Sequence, residues 1–266
     1  MKKILVLVSL ALGVSALGAQ AHGLWIRPSS TVLSSIQFVT FDAATSSEPF
    51  QLDHRPLAID DLKIIAPDGG EVTPVNVLKG ELRTVFDARF DKKGTYRVEL
   101  MRSGFRANWK DSDNKPKRFM GTPEALAKEV PANATDLKIS ETDTRVENYI
   151  TLGNPSELKP SNKGLELVAS THPNDLVTGE PVELTFLVDG KPTADVEVAI
   201  VRDQVRYRNA PEAQNYKTDR NGKIKVSFDQ AGMYWLDADF KDDHVSNKIA
   251  KERTLSYVLT LEVLPQ

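Results

Sequence analysis

Near the C-terminus, Leu255, Tyr257, Leu259, Leu261 and Val263 alternate with Thr254, Ser256, Thr260 and Glu262. A period of two held over that length is a strand with one buried and one wet face, as in an antiparallel sheet. The same period recurs upstream. Val182, Leu184, Phe186 and Val188 stop at Asp189-Gly190-Lys191-Pro192, and Val196, Val198 and Ile200 follow. Asn221-Gly222 then precedes Ile224, Val226 and Phe228; a tight hairpin fits there because both central residues accept positive φ. Short apolar runs at 36–41, 62–66, 72–77, 81–86 and 96–101 are separated by turn signals such as Asp68-Gly69-Gly70. The pattern predicts an all-β chain built from two antiparallel β-sandwich domains.

An internal echo supports two related units. Phe90-Asp91-Lys92-Lys93-Gly94-Thr95-Tyr96 matches Phe228-Asp229-Gln230-Ala231-Gly232-Met233-Tyr234 at Phe, Asp, Gly and Tyr. Between the units, the stretch 108–131 changes character. Lys110, Lys115, Lys117 and Arg118 make it basic, and it reads as a solvated hairpin or loop, with an acidic partner or a membrane surface as the alternative. Thr122-Pro123-Glu124 looks like an N-cap with Pro at the first helical position, so a short helix is predicted to about Glu129, ended by Pro131. The segment 159–164 has linker composition. The predicted domains are therefore 22–158, carrying the insertion near 108–131, and 165–266. The linker is where a protease is expected to cut first.

The N-terminus sets the compartment. Met1-Lys2-Lys3 is a short positive region, an apolar stretch runs from Ile4 to Leu17, and Ala19-Gln20-Ala21 is an A-x-A cleavage site. Residues 1–21 are read as a cleaved secretory signal peptide, which gives a soluble periplasmic protein that begins at His22 and has no transmembrane segment after processing. The formal net charge is −3, and loss of Lys2 and Lys3 makes it more negative. Such a balance offers no general basic footprint for nucleic acid. The chain has no Cys, so any metal must use nitrogen or oxygen ligands.

The histidines are His22, His54, His172 and His244. Cleavage after Ala21 would free the α-amine of His22 beside its imidazole. Amine and ring Nδ1 of one residue can then close a chelate ring on one metal, with a second imidazole completing three nitrogen ligands, the arrangement called a histidine brace. Nitrogen donors and the Irving–Williams order favour Cu(II), with Co(II) or Ni(II) next. Leu24-Trp25-Ile26 can enter a sheet and hold the terminus in place. His54 is the first candidate for second ligand, in a polar loop where Asp53 can orient or supplement the ring. His244, after Asp242 and Asp243, is the next, and His172, before Pro173, looks like a turn residue. For each internal histidine a plain surface role competes, because no His-x-His or His-x3-His spacing is present. No Cys nucleophile, G-x-S-x-G, H-E-x-x-H or glycine-rich phosphate loop occurs. Asp237 and Asp239 share one strand face and read as its wet side. No catalytic residue is assigned, and the chain is not expected to be an enzyme.

The run Ala21-His22-Gly23-Leu24-Trp25-Ile26-x-Pro28, the segments Asp53-His54-Arg55-Pro56-Leu57 and Ala66-Pro67-Asp68-Gly69, and the ending Arg253-Thr254-Leu255-Ser256-Tyr257 resemble the exported domain-of-unknown-function family forty-one ninety-eight. That family is often labelled a periplasmic component of ABC-type cobalt or nickel transport. The resemblance implies metal uptake or handling, with an inner-membrane transporter or outer-membrane receptor as partner. Asp189-Gly190-Lys191-Pro192, Thr218-Asp219-x2-Gly222 and Gly232-x-Tyr234 also resemble transthyretin-like and collagen-binding-B-type modules, which implies an immunoglobulin-like or transthyretin-like sandwich and no particular function. Two readings from different classes stand: a periplasmic binder of copper, cobalt or nickel, and a metal-free binding or adaptor module. A copper monooxygenase acting on polysaccharide is a thinner third, since it needs a flat aromatic face.

Overall fold

The structure, a computed structural model, describes residues 23–266. His22 and the expected signal peptide lie outside the described residues. The N-terminal strands are β1 (Gly23–Pro28), β2 (Val32–Leu33), β3 (Gln37–Ser46), β4 (Arg55–Pro56), β5 (Leu62–Ile65), β6 (Val75–Lys79), β7 (Thr84–Phe90), β8 (Gly94–Lys110) and β9 (Pro116–Gly121). The helix α1 (Pro123–Glu129) follows, then β10 (Thr135–Leu152). The C-terminal strands are β11 (Leu165–Ala169), β12 (Pro181–Val188), β13 (Lys191–Pro192), β14 (Glu197–Arg202), β15 (Gln214–Lys217), β16 (Lys223–Ser227), β17 (Gly232–Asp242) and β18 (Glu252–Val263).

They form three sheets. The first has the order β1-β3-β7-β6, with β4 beside β3. The third has β11-β12-β13, with β16 also on β12. Between them runs a sheet ordered β15-β14-β17-β18-β10-β8-β5, with β2 on β10 and β9 on β8. Both halves of the chain contribute to this middle sheet. They join where β10 lies parallel to β18, from Ser140↔Glu252 to Glu147↔Leu259.

Strand alternation explains how one sheet serves two cores, since successive side chains point to opposite faces. On β10, Val146 and Ile150 enter a core with Trp25, Phe41, Phe86 and Tyr96, whereas Tyr149 enters one with Phe186, Phe228 and Leu236. On β18, Val258 joins the first core and Leu255, Tyr257, Leu259 and Leu261 the second. The first and third sheets thus cover opposite faces of the middle sheet, displaced along it, and two β-sandwiches result. A small third core gathers Phe105, Ala107, Trp109, Leu126 and Ala250 under α1. Thr122 caps that helix, its Oγ1 accepting from Ala125 N at 3.3 Å.

The echo has one geometry in both halves. Phe90–Tyr96 and Phe228–Tyr234 are edge-on ring pairs with centroids 4.8 Å apart. Gly94 and Gly232 sit at φ +122° and +136°. The Tyr96 hydroxyl accepts from Asp91 N and Lys92 N, and the Tyr234 hydroxyl donates to Gln230 O. Each tyrosine closes the turn preceding its strand, as at a sandwich corner.

Candidate functional site

The first described residues are firmly held. β1 pairs with β3 from Gly23↔Ser46 to Pro28↔Phe41. The Trp25 indole donates to Ser46 Oγ at 2.7 Å, Trp235 Nε1 donates to Leu24 O at 2.9 Å, and Asn148 Nδ2 donates to Ile26 O at 3.2 Å. Leu24-Trp25-Ile26 therefore anchors the chain immediately after His22 to elements of both halves. Trp25 and Ile26 are buried because their apolar side chains complete the first core.

On the other side of β3, Thr45 pairs with Arg55 and Ala44 with Pro56. His54 precedes Arg55 in the bend that leads into β4, outside the ladder, while Ser46 faces Gly23 on the other side of β3. β1 and β4 thus flank the same end of β3 from opposite sides. With neighbouring strands about 4.8 Å apart, they stand on the order of 10 Å apart. Two histidine side chains can close such a gap on one ion through metal–nitrogen bonds of about 2 Å. His54 is exposed. Asp53 accepts from Ser47 N at 3.1 Å and from Ser47 Oγ, which fastens the bend that carries His54.

His244 does not lie at this end of β3. It is 78% exposed, in the turn after β17, with Nδ1 3.5 Å from Asp242 Oδ2, and Arg253 grips that carboxylate at 2.6 and 3.0 Å. A Cβ on Gly23 would lie 3.1 Å from the Trp235 ring. Asp242 is seven residues further along β17, roughly 23 Å at strand rise. β17 thus carries His244 away from Trp235, the residue that packs against Gly23.

His172 is committed elsewhere. Its Nδ1 accepts from Asn174 N at 3.1 Å and caps the turn Pro173–Asp175, so the neutral ring carries its proton on Nε2, 3.1 Å from Thr95 Oγ1. Asp237 departs from the wet-face reading. It is half-buried with no hydrogen-bond partner among the described residues, whereas Asp239 accepts from Ser256 Oγ at 2.5 Å.

Beside Asp53 opens a cleft of about 640 Å³, walled by Arg27, Phe50, Asp203, Arg206 and Tyr207 among others. Trp25 meets Phe50 edge-on at 5.5 Å, the Arg27 guanidinium lies 5.4 Å over the Phe50 ring, and Arg27 pairs with Asp203 at 2.9 Å. Tyr207 is 83% exposed. Positive φ is found at nine non-glycine residues among those described. Six are Asn or Asp, which tolerate it; the others are Phe50, Gln204 and Glu212. Phe50 and Gln204 line this cleft, and Glu212 pairs with Arg208 at 3.5 Å. Arg208 holds the Gln204 loop by donating to the carbonyls of Arg202, Asp203 and Pro211. Backbone strain of this kind concentrates at ligand sites. Sequence reading missed the cleft because its walls come from loops some 150 residues apart; Phe50, beside the Asp53-His54 segment, was the one available signal.

Among the described residues, no group of three or more His, Asp or Glu side chains is disposed to hold a metal ion, and no helix is long and apolar enough to cross a membrane. A family model described as Domain of unknown function (DUF4198) matches residues 19–242. No curated protein matches the chain. Solved structures similar to it include the D0-D1 domain of intimin, 12% identical over 90% of this chain and 97% of that one, with a TM-score of 0.22. The FN1-FN3 domains of chicken CNTN1 are 8% identical over 90% and 97%, with a TM-score of 0.26. A DUF4785 family protein from Legionella pneumophila is 9% identical over 80% and 51%, with a TM-score of 0.23.

Proposed function

The chain belongs to the DUF4198 family of unknown function, and from its own residues we propose that it is an exported, periplasmic transition-metal-binding protein. The metal, Cu(II) or else Co(II) or Ni(II), is cargo held by the α-amine and imidazole of His22 together with His54. The observation that supports this most is that β1, which follows His22, and β4, which follows His54, flank the same end of β3. Asp53 then acts by fastening the bend, its two oxygens being engaged by Ser47. A transporter of the inner membrane or a receptor of the outer membrane would pass on or receive the metal.

Before processing, the nitrogen of His22 is an amide with no available lone pair; afterwards it is an amine of reference pKa about 8 beside a ring of about 6.5. Affinity should rise with pH as both lose protons. Calorimetry with Cu(II), Ni(II) and Co(II) should compare protein beginning at His22, protein with one extra N-terminal Ala, and the His54→Ala and His244→Ala variants. Extra Ala and His54→Ala should each remove most of the affinity, and His244→Ala should leave it unchanged. Equal binding by the extended protein would end the brace proposal.

A second reading, a metal-free binding or adaptor module, is favoured by the strained cleft and its exposed Tyr207. It expects Tyr207→Ala to abolish partner capture in protein that binds no metal.

A further inference from the structure

A larger cavity, about 920 Å³, lies at the far end of the middle sheet, where β8, β9 and β10 meet. β9 pairs with β8 from Phe105↔Gly121 to Lys110↔Pro116, and Asn108 has Arg118 on one side and Lys138 on the other. Lys251 joins them because its backbone N donates to Ile139 O. Five cations line the cavity, Lys110, Lys117, Arg118, Lys138 and Lys251, against two carboxylates, Asp136 and Glu252.

Pairing does not remove the excess. Lys110 is matched by Asp136 at 2.7 Å and Lys117 by Asp111 at 3.3 Å. Arg118 donates to Met120 Sδ at 3.2 Å, a neutral acceptor, and Arg118, Lys138 and Lys251 have no ion pair among the described residues. All three are exposed. Two donors nearby lack acceptors: Trp109 Nε1, on a side chain 7% exposed in the cavity wall, and Arg106 Nε one row further in. Both atoms are closed off from solvent, so neither is presented to the cavity. Burial, and then the charge of Arg118, hold Arg106 below the usual guanidinium range, with Asp239 and Glu252 opposing.

Apolar atoms complete the wall. Trp109, Leu137 and Ile139 line it, and Leu137 is exposed. The stretch read in sequence as a solvated hairpin or loop is the β8–β9 hairpin, in which Trp109 and Phe119 are interleaved with Arg106, Lys110, Lys117 and Arg118. The volume suits a small molecule. We propose that this cavity binds an anionic amphiphile, its phosphate or carboxylate head against Arg118, Lys138 and Lys251 and its apolar body against the exposed Leu137. The site is independent of the proposed metal site.

The full chain can be titrated with octyl phosphate at low salt, by calorimetry and by tryptophan emission, beside octyl glucoside and inorganic phosphate as controls. Octyl phosphate should bind more tightly than either control, and salt should weaken it. The Arg118→Glu, Lys138→Glu double variant should lose about tenfold or more in affinity, as expected for lost charge-assisted hydrogen bonds, while its circular dichroism and melting temperature stay at parent values. Trp109→Phe should remove the emission change with calorimetric binding still present. Equal binding of octyl glucoside, equal binding of inorganic phosphate, or undiminished binding by a folded double variant would each overturn the proposal. Sedimentation with phosphatidylglycerol but not phosphatidylcholine vesicles, lost in the double variant, assigns the head group to a membrane lipid. Octyl phosphate binding without sedimentation assigns it to a soluble ligand.

Discussion

At His172 both ring nitrogens are engaged, so this histidine reports on folding rather than on metal. Burial lowers its pKa, with Asp175 pulling upward. Below about pH 6.5 the unfolded chain takes up a proton at this ring before the folded one does. Stability present above that pH is therefore lost as pH falls towards the folded pKa. His172→Asn keeps an acceptor for Asn174 N and removes the titration; its melting temperature should depend less on pH between about 5 and 7. Asp237 gives the opposite slope. Burial, and then Asp239, push it up to about 8. Between about pH 4 and that value the folded chain holds a proton that the unfolded chain has lost, so stability falls as pH rises through the window. Asp237→Asn should be more stable than the parent near pH 8 and equal to it near pH 4, and parallel curves would remove the assignment. Neither behaviour was legible in the sequence, which shows two carboxylates on one face but not that only Asp239 finds a partner in Ser256. Asp53-His54 was legible as a polar loop, and its place next to β4, across β3 from β1, needed the sheet pairing.

Among the elements, the Phe-Asp-x-x-Gly-x-Tyr echo was visible at both turns because its chemistry is local: a ring pair, a hydroxyl and a positive-φ glycine within seven residues. The two glycines should nevertheless respond differently. A Cβ on Gly94 would meet Pro67 Cβ at 2.8 Å and Ser156 Oγ at 3.1 Å, whereas one on Gly232 would meet nothing within 4 Å. Both substitutions incur backbone strain of roughly 1 kcal/mol or more. Only Gly94→Ala adds overpacking against a rigid ring, roughly a further 1–3 kcal/mol. Denaturant unfolding should rank Gly94→Ala below Gly232→Ala, and the reverse order would contradict the packing argument. Strand lengths were less legible. β8 continues through Arg102-Ser103-Gly104, where alternation fades because Met101 and Ser103 are exposed. β10 begins at Thr135, although apolar pattern marks only its end, where Val146 to Leu152 are buried by the cores on both faces.

At the scale of the whole molecule, the two halves share a sheet, which local patterning could not show because the parallel β10–β18 pair joins residues more than a hundred apart. The connection between the halves is bound to that sheet. Buried Arg145 on β10 pairs with Glu147 and Glu166 at 3.2 and 3.0 Å and donates to Ser161 Oγ and Lys163 O. Glu166 accepts from Ser161 N and Lys163 N, Arg97 donates to Lys159 O, and Gly164 N donates to Asp189. Composition alone marks 159–164 as the first place a protease would cut; these bonds reverse that expectation, because cleavage requires the backbone to leave its partners. Under native conditions the parent should resist limited proteolysis at 159–164. Arg145→Met leaves buried Glu166 without its cation and Glu147 with Arg97 at 4.0 Å, a change worth about 3–5 kcal/mol for a broken buried pair. It should expose the segment to cutting and lower the melting temperature, whereas Lys159→Ala, which keeps the carbonyl that Arg97 holds, should do neither. If the parent is nicked at 159–164 as fast as Arg145→Met, the Arg145 network does not fasten the connection.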